Sequence, residues 1–235
     1  MQAVIFAGGK GERLRPYTAV LPKPLLPIGD LPILEVVLRQ LQQHGFTRAT
    51  LAVSYLAELV ERLCGDGTRF GLEVRYSREP APLSTAGPLK LIEGLDETFL
   101  AMNGDVLTTL DYGALLDFHR ARGAVATIAT HRRTVTLELG VLEIDADGAL
   151  VDYHEKPRYE HRVSMGIYAL EPRVRDFIGA GEAIDMPTLL LRLRHAGERV
   201  LTYESDCVWL HIGRRDDYEE AVEVFERRRA EFLKR

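Results

Sequence analysis

The sequence predicts an α/β protein in which helices flank a mostly parallel sheet. In the first half, short apolar runs alternate with segments of helical period, which is typical of β-α-β units. A glycine-rich loop directly follows the first apolar run, where a parallel sheet presents its ligand crevice. Beyond about residue 135, the turn signal Asp147-Gly148 lies between two short apolar strands and indicates a hairpin. We therefore expect an α/β unit followed by a more antiparallel region.

Strands are predicted where short apolar runs are bounded by turn residues. In chain order they are Gln2–Phe6, Thr50–Ser54, Leu72–Tyr76, Phe99–Met102, Ala124–Thr130, Gly140–Ile144, Ala149–Tyr153, Val163–Leu170 and Arg199–Tyr203. Helices are predicted from helical periodicity and end signals. They are Ile33–Leu41 with a stop at Gly45, Leu56–Leu63, Thr85–Gly94, Tyr112–Arg122, Pro187–His195 and a charged segment from about Asp216. We interpret the last helix as a solvated surface, with an oligomer contact as the alternative.

Length and composition are those of a soluble globular protein. Of 235 residues, 46% are hydrophobic and 28% are charged, a balance that excludes a disordered chain. The net charge of −5 argues against a protein that coats nucleic acid. No apolar run approaches the roughly 20 residues that span a bilayer, so no membrane partner is expected. Cys64 and Cys207 lie far apart without a Cys/His cluster, which indicates a reducing compartment, the cytoplasm.

The loop after the first strand combines glycines with cations. It reads Ala7-Gly8-Gly9-Lys10-Gly11-Glu12-Arg13-Leu14-Arg15-Pro16. Because glycine has no Cβ, backbone N–H groups in such a loop can approach and bind phosphate oxygens. The cations in and after the loop are Lys10, Arg13, Arg15 and Lys23, and the acid among them is Glu12. A local site for a phosphate-bearing ligand is therefore predicted here.

Spacing excludes two common glycine motifs. A dinucleotide fingerprint requires G-x-G-x-x-G at the start of a helix, but Leu14 occupies the third glycine position. The P-loop pattern G-x-x-x-x-G-K-[ST] is absent from the sequence. Prolines, which forbid an α-helix here, lie at positions 16, 22, 24, 27 and 32. The segment is therefore predicted to be a long, stiff, irregular loop of functional importance.

The segment from Ala7 to Ile28 resembles the sugar-1-phosphate nucleotidylyltransferases, also called NDP-sugar pyrophosphorylases. Their pattern A-G-G-x-G-x-R-L-x-P-x-T-x-x-x-P-K-P-x-x-P-I is present without a gap. The resemblance covers most of the chain and implies the nucleotide-diphospho-sugar transferase fold, with a Rossmann-like, mixed and mainly parallel sheet. It also implies Mg²⁺ dependence. Since no linker or repeat divides the chain, we expect a single domain 1–235, with nucleotide bound by about 1–135 and sugar phosphate by about 136–235.

The resemblance implies a nucleotide subsite in the first part. The segment E-P-A-P-L-S-T-A-G, from Glu79 onward, is similar to the family's base-reading segment, where glycine is usual at the position of Ser84. Glu79 would accept hydrogen bonds from guanine or uracil, while backbone groups near Ser84 and Thr85 cover the rest of the base. Apart from the resemblance, Thr85 is an ordinary candidate for a helix cap. The nucleotide-binding set is Phe6, Ala7, Gly8, Gly9, Gly11, Arg13, Lys23, Glu79, Ser84, Thr85 and Gly87.

The resemblance places the sugar-phosphate subsite later in the chain. The set is Gly104, Gly140, Glu155, Lys156, Ser164 and Gly166. Glu155 and Lys156 match the family's E-K-P, in which Glu contacts sugar hydroxyls and Lys neutralises the sugar phosphate. Ser164 stands where asparagine is commoner, which leaves the identity of the sugar open.

Asp105 matches the family's Mg²⁺ ligand, with a turn residue or helix cap as the alternative. Mg²⁺ favours carboxylates together with phosphate oxygens. The segment W-L-H-I-G, from Trp209 onward, resembles W-x-D-I-G, whose Asp is usually the second metal ligand. His211 replaces that Asp. Because imidazole suits softer ions, Mn²⁺ is an alternative metal, and a hydrogen-bonded loop histidine is an alternative role for His211.

The implied reaction joins an NTP to a sugar 1-phosphate and yields an NDP-sugar and pyrophosphate. Arg13, Lys23 and Asp105 are the expected catalytic residues. The sequence context looks most like guanylyltransferases of mannose or heptose 1-phosphate, with uridylyl or thymidylyl transfer as the alternative. His211 also motivates an alternative of another class, a non-catalytic regulatory relative that binds nucleotide-sugar. The expected partners are the NTP and the sugar 1-phosphate, without nucleic acid or membrane, and a homodimer is a further alternative.

Overall fold

The chain builds thirteen strands and five α-helices within the part that the structure, a computed structural model, describes: residues 1–233. The strands are β1 Gln2–Phe6, β2 Pro27–Ile28, β3 Leu31–Pro32, β4 Arg48–Val53, β5 Glu73–Arg78, β6 Phe99–Asn103, β7 Val106–Thr108, β8 Ala126–Thr136, β9 Val141–Ile144, β10 Leu150–His154, β11 Arg158–Leu170, β12 Val200–Glu204 and β13 Trp209–His211. The helices are α1 Ile33–Gln43, α2 Ala57–Cys64, α3 Tyr112–Arg122, α4 Met186–His195 and α5 Arg215–Phe232.

A seven-stranded sheet in the order β12-β8-β11-β6-β1-β4-β5 organises the molecule. All neighbouring strands are parallel except β11, which runs antiparallel to both β6 and β8. The sheet is therefore mixed and mainly parallel, as predicted. It includes strands from both predicted parts of the chain, and the functional division near residue 135 stays a prediction.

Apolar residues on alternate sides of the strands create a core on each face of the sheet. Ala3 and Ile5 of β1 belong to a cluster that also holds α1 and α5, whereas Val4 belongs to a cluster with α4. This alternation follows from the two-residue period of a strand. Helices on both faces leave the carboxyl edge of the parallel strands as the place where loops can form a site.

The proline-rich loop between β1 and α1 contains no α-helix, as predicted. It folds as short 3₁₀ turns, Glu12–Leu14, Tyr17–Ala19 and Lys23–Leu25, followed by the small β2–β3 hairpin. The turn at Gly11 has φ of +62°, a left-handed conformation that glycine adopts without a steric penalty. The other predicted helices and strands are confirmed within a few residues, apart from the helix discussed next and extended strands in the second half.

The predicted helix Thr85–Gly94 is wrong. The structure forms only a 3₁₀ turn, Gly87–Lys90, in this segment. The N–H groups of Ala86 and Gly87 donate to the carbonyl of Ile184, at 2.9 and 3.1 Å, which ties this segment to a distant part of the chain. Thr85 likewise does not cap a helix in its own segment, because its hydroxyl accepts from the N–H of Met186 at the start of α4.

The second half contains an exposed antiparallel arm, of which sequence periodicity predicted only a part. β8 continues to Thr136 and β11 begins at Arg158, so the two strands extend well beyond the predicted Ala124–Thr130 and Val163–Leu170. Their outer halves and the β9–β10 hairpin form this arm, which we define as residues 131–163. The arm makes few core contacts because its side chains are exposed on both faces.

α5 is only partly the solvated surface that its charge predicts. Ala221, Phe225 and Phe232 are buried against the core, and the Tyr218 hydroxyl donates to the carbonyl of Pro27 at 2.6 Å. One face of the helix therefore packs while its charged face is exposed. Within residues 1–233, no helix combines the length and the apolar content that crossing a membrane requires.

Candidate functional site

The carboxyl ends of β1, β4, β5 and β6 border a cleft of about 670 Å³. Parallel strands deliver the residues that follow them to the same edge, so segments far apart in sequence meet here. The lining residues are Phe6, Ala7, Gly8, Gly9, Lys10, Lys23, Pro24, Ser54, Tyr55, Glu79, Pro82, Ser84, Thr85, Asn103, Gly104 and Asp105. The cleft thus combines the glycine loop, the predicted base-reading segment and the predicted metal ligand.

Gly8 and Gly9 differ in what surrounds them. A Cβ added at Gly8 would lie 2.7 Å from Oε1 of Glu79 and 3.1 Å from Cβ of Ser54, so only glycine fits without a shift. A Cβ added at Gly9 would meet no atom within 4 Å. Gly8 is therefore required by the protein's own packing, whereas the space at Gly9 is available to a ligand.

Glu79 is a half-buried carboxyl at the cleft wall. Its Oε2 accepts from the N–H of Leu83 at 2.9 Å, and its own N–H donates to the carbonyl of Val53 at 3.1 Å. Burial raises the pKa of Glu79, although the bond from Leu83 opposes this shift. The backbone bonds hold the carboxyl in place, and Oε1 faces Gly8, where the first loop enters the cleft.

Of the predicted site residues in the segment after Glu79, some line the cleft and one does not. Ser84 is exposed, lines the cleft and has φ of +64°, the left-handed conformation, which agrees with the family's usual glycine at this position. Gly87 is not part of the cleft lining, and a Cβ there would come within 2.6 Å of the carbonyl oxygen of Glu182. Ser84 and Thr85 are thus positioned to touch a ligand, whereas Gly87 packs against the protein.

Lys23 and Asp105 form a close ion pair at the floor of the cleft. The Lys23 ammonium donates to Oδ2 of Asp105, and the two side chains are 12% and 18% exposed. Gly104, just before Asp105, donates its N–H to the carbonyl of Phe6 at 2.9 Å, which fixes this turn beside β1. A cation and an anion that the sequence separates by more than eighty positions therefore meet in one site.

The carboxylate of Asp105 has one oxygen in use and one without a partner. Oδ1 is buried and accepts no hydrogen bond within residues 1–233. Such an oxygen fits a divalent cation that takes its remaining ligands from phosphate and water. No group of three or more His, Cys, Asp or Glu side chains in the described part of the chain could hold a metal by itself.

His211 reaches the neighbourhood of Asp105 through strand pairing. β13 pairs with β7 so that His211 lies opposite Val106, and the N–H of Ile212 donates to the carbonyl of Asp105 at 3.2 Å. The His211 side chain is exposed and makes no hydrogen bond with residues 1–233; its ring lies 6.3 Å from that of Trp209. The role of His211, as a metal ligand or as a hydrogen-bonded histidine, stays a prediction.

The predicted phosphate-binding arginine and the predicted sugar-phosphate residues other than Gly104 are not part of the cleft lining. Arg13 is exposed, and its guanidinium makes no ion pair within residues 1–233. Gly11 is also outside the lining, where the Thr18 hydroxyl donates to its carbonyl at 2.8 Å. Gly166, with φ of +73°, packs against Asn103, since a Cβ there would lie 2.6 Å from Nδ2.

The arm carries three of the predicted sugar-phosphate positions: Gly140, Glu155 and Lys156. Glu155 accepts from the Tyr153 hydroxyl at 3.2 Å, and the Lys156 ammonium pairs with Glu138 at 3.4 Å. Gly140 is required by Tyr153, whose hydroxyl would lie 2.2 Å from an added Cβ. These residues form one group on the arm, outside the cleft lining.

Ser164 lies between the arm and the sheet. Its hydroxyl accepts from the N–H of Gly166 at 3.2 Å and contacts the Tyr168 hydroxyl at 3.3 Å. The pairing of β11 with β8 is irregular between Ser164 and Tyr168. This bulge turns the chain so that Gly166 reaches Asn103 at the cleft.

Sequence reasoning did not assign Ser54, Tyr55 and Asn103 to the site. Ser54 and Tyr55 follow β4, which is the neighbour of β1 in the sheet. The N–H of Tyr55 donates to the carbonyl of Gly8 at 3.4 Å. The signal available was position alone: residues just after a parallel strand share an edge with those after every other parallel strand.

Known proteins are similar in sequence to this chain over most of its length. A family model described as Nucleotidyl transferase matches residues 2–228. A UTP--glucose-1-phosphate uridylyltransferase of Synechocystis is 38% identical over 94% of this chain and 62% of that protein. Mannose-1-phosphate guanyltransferase of Candida albicans is 33% identical over 93% of this chain and 62% of that protein. Mannose-1-phosphate guanylyltransferase of Mycobacterium tuberculosis is 31% identical over 93% of this chain and 62% of that protein. The chain spans less than two thirds of the length of these relatives.

Solved structures share the fold. A Bacillus anthracis protein in complex with sucrose superposes with a TM-score of 0.75 at 20% identity, over 95% of this chain and 94% of that chain. HddC from Yersinia pseudotuberculosis, complexed with GMP-PN, superposes with a TM-score of 0.71 at 23% identity, over 95% of this chain and 99% of that chain. Together with the observed strand order, these likenesses confirm the predicted fold.

Proposed function

Because the chain belongs to the nucleotidyl transferase family, we propose that it transfers a nucleotidyl group from an NTP to a sugar 1-phosphate and releases pyrophosphate. GTP with a mannose- or heptose-type sugar 1-phosphate is the first candidate pair, supported by the guanylyltransferases among its relatives. UTP with glucose 1-phosphate is the second, favoured by the higher identity to the Synechocystis uridylyltransferase. The cytoplasm is the compartment proposed, in keeping with two cysteines that form no disulfide.

The observation that carries the proposal is the composition of the cleft. The glycine loop offers an open backbone at Gly9, and the cations Lys10 and Lys23 line the same space. A triphosphate is strongly anionic, so it requires N–H donors and cations to replace its water. Glu79 at one wall supplies an acceptor for a base that presents N–H groups, and Asp105 supplies an anion for a phosphate-bound cation.

The proposed reaction is an in-line displacement at the α-phosphorus. A phosphate oxygen of the sugar 1-phosphate forms the new bond to phosphorus as the bond to the β-phosphate oxygen breaks, and pyrophosphate leaves. Lys23 would leave its ion pair with Asp105 to bind the α-phosphate, and Arg13 would bind the departing phosphates. Lys156 would leave its ion pair with Glu138 to bind the sugar phosphate. No covalent intermediate with the protein is required, because positioning and charge neutralisation account for catalysis of this kind.

Members of this family generally use a divalent metal, and we propose Mg²⁺ held by Asp105, with Mn²⁺ as an alternative. When bound, the ion would neutralise phosphate charge. His211 replaces the carboxylate usual at its position and offers imidazole nitrogen instead of oxygen. His211→Asp should therefore change the ratio of Mg²⁺-supported to Mn²⁺-supported rates and the affinity for Mn²⁺ measured by paramagnetic resonance. Equal ratios and equal Mn²⁺ affinities in both proteins would exclude a ligand role for His211.

The test of the proposed function is pyrophosphate release measured over a grid of substrates. GTP, UTP, dTTP, ATP and CTP are each combined with mannose, heptose, glucose and N-acetylhexosamine 1-phosphates in the presence of Mg²⁺. One active combination would identify base and sugar together. If no combination releases pyrophosphate with Mg²⁺, with Mn²⁺ or in the His211→Asp variant while nucleotide raises the melting temperature, the result points to a sugar outside the grid or to a regulatory relative that binds nucleotide.

The catalytic assignment is tested with single substitutions in the active pair. Lys23→Ala and Arg13→Ala should each lower kcat by roughly 10²-fold, by analogy with the removal of one transition-state charge contact. Arg122→Ala is the matched control, because Arg122 is exposed at the end of α3 and outside the cleft. Wild-type turnover in the Lys23 or Arg13 variant would refute the role given to that residue.

A further inference from the structure

Residues 9–21 of the glycine- and proline-rich loop, which we call the outer loop, contain no α-helix and no strand. The outer loop nevertheless contains three of the four cations of the predicted phosphate site, all of them exposed: Lys10, Arg13 and Arg15. Its backbone bonds are local, such as the bond from the N–H of Leu14 to the carbonyl of Gly11 at 2.9 Å. Bonds within single turns fix the shape of the outer loop but not its position relative to the sheet.

The hydroxyl of Tyr55 joins the outer loop to the sheet. Tyr55 is the second residue after β4 and lines the cleft. Its hydroxyl lies 3.3 Å from the carbonyl oxygen of Thr18 and 3.2 Å from that of Ala19, so one proton is shared between two acceptors. Its N–H donates to the carbonyl of Gly8, just before the outer loop. Within residues 1–233, no other group outside the outer loop forms a hydrogen bond with residues 9–21.

Thr18 connects the bond from Tyr55 to the glycine turn. Thr18 is buried, and its hydroxyl donates to the carbonyl of Gly11 at 2.8 Å. Its Cγ2 packs on the same residue, since a Cβ added at Gly11 would lie 3.0 Å from it. Gly11 begins the 3₁₀ turn that contains Arg13. Because Thr18 contacts Gly11 both by a hydrogen bond and by packing, a displacement of Thr18 would also displace the turn with Arg13.

The turn that presents Tyr55 is held in an unusual conformation. Leu56 has φ of +51°, in the left-handed region that residues other than glycine rarely adopt. The N–H of Ala57 donates to the carbonyl of Ser54 at 3.3 Å and closes this turn. Backbone strain of this kind persists only where the surrounding structure holds it, and it is concentrated at functional sites. The strained turn therefore supports a functional role for the position of Tyr55.

We propose that Tyr55 is a positioning residue for the phosphate end of the NTP and acts through Thr18 and Gly11. The inference rests on the proposed function, which supplies the identity of the ligand. In that function Arg13, within the outer loop, binds the β- and γ-phosphates, whereas Lys23, beyond the outer loop, binds the α-phosphate. Loss of the Tyr55 hydroxyl therefore weakens the contacts to the β- and γ-phosphates and leaves those to the nucleoside and the α-phosphate in place.

The primary test is titration calorimetry of Tyr55→Phe with GTP and UTP, and with GMP and UMP, in the presence of Mg²⁺ and without sugar phosphate. The affinity for the triphosphate should fall about fivefold, as expected for one lost hydrogen bond, while the affinity for the monophosphate stays within about twofold. The matched control is Tyr76→Phe in β5. The Tyr76 hydroxyl donates to the carbonyls of Gly65 and Glu61, at 2.6 and 3.5 Å, and Tyr76 is not part of the cleft lining. The control loses a comparable bond and should keep both affinities.

Thr18→Val provides a second variant, because it removes the hydroxyl that binds Gly11 and retains the branched shape. It should show the same selective loss of triphosphate affinity, and Tyr55→Phe/Thr18→Val should lose no more than the weaker-binding single variant. Thermal unfolding without ligand establishes that each variant is folded.

Unchanged triphosphate affinity in Tyr55→Phe, equal losses for triphosphate and monophosphate, or losses that multiply in the double variant would overturn the inference. Because calorimetry measures no turnover, the proposed function can fail separately. A chain that shows the selective loss but releases no pyrophosphate would refute the proposed transfer alone. An active chain in which Tyr55→Phe keeps both affinities would refute the positioning role alone.

Discussion

Substituting Gly8 with alanine should destabilise the protein before any ligand is added. The new methyl group would lie 2.7 Å from Oε1 of Glu79, closer than real Cβ contacts, and 3.1 Å from Cβ of Ser54, a tight contact. Glu79 cannot move away freely, because its Oε2 accepts from the N–H of Leu83. Overpacking of this kind costs about 1–3 kcal/mol. For a chain of this size, each kcal/mol lowers the melting temperature by about 2–4 °C.

Gly9→Ala is the matched control, since a Cβ at Gly9 meets no atom within 4 Å. Its stability without ligand should therefore stay within about 0.5 kcal/mol of the wild type. The methyl group would nevertheless occupy space that the proposal assigns to phosphate. Nucleotide affinity should fall by about tenfold, which corresponds to about 1.4 kcal/mol.

Thermal unfolding without ligand and titration calorimetry with GTP or UTP measure the two effects separately. Glu79→Asp in the Gly8→Ala background should recover part of the lost stability, because the shorter carboxyl withdraws from the methyl group. If Gly8→Ala has the same melting temperature as the wild type, the close contact inferred between Gly8 and Glu79 is wrong. If Gly9→Ala binds nucleotide as tightly as the wild type, the phosphates do not approach this loop.

Three further outcomes are expected. Burial raises the pKa of Glu79 above its ordinary 4.5, so the stability it confers is full below pH 4.5 and is lost as pH rises through the raised pKa. Glu79→Gln should therefore melt higher than the wild type near neutral pH, and the gap should close on acidification. Gly166→Ala should destabilise by about 1–2 kcal/mol from its left-handed φ alone, and more as Asn103 shifts; an unchanged urea midpoint would contradict this. Because burial raises the pKa of Cys64 to about 12, a thiol reagent at neutral pH should label Cys207 alone in the native chain, as mass spectrometry would show.

Local signals in the sequence identified the segments of the site but not how they meet. The glycine loop, Glu79 and Asp105 each follow an apolar run, and the periodicity of those runs predicted the strands that deliver them to one edge. The one predicted helix that is wrong, Thr85–Gly94, failed for a related reason. Two of its N–H groups, those of Ala86 and Gly87, donate to the carbonyl of Ile184, a partner about a hundred residues away that local periodicity cannot reveal.

The sequence by itself determined the fold class, the irregular proline-rich loop and the cationic glycine turn, because these depend on side-chain period and on backbone limits of glycine and proline. Tertiary structure decided what these pieces touch. Only the folded chain pairs Lys23 with Asp105, brings His211 beside Asp105 through β7 and β13, and leaves the side chains of the arm exposed on both faces. Each of these contacts depends on strand order and register, which are set by burial of surfaces far apart in the chain and not by neighbouring residues.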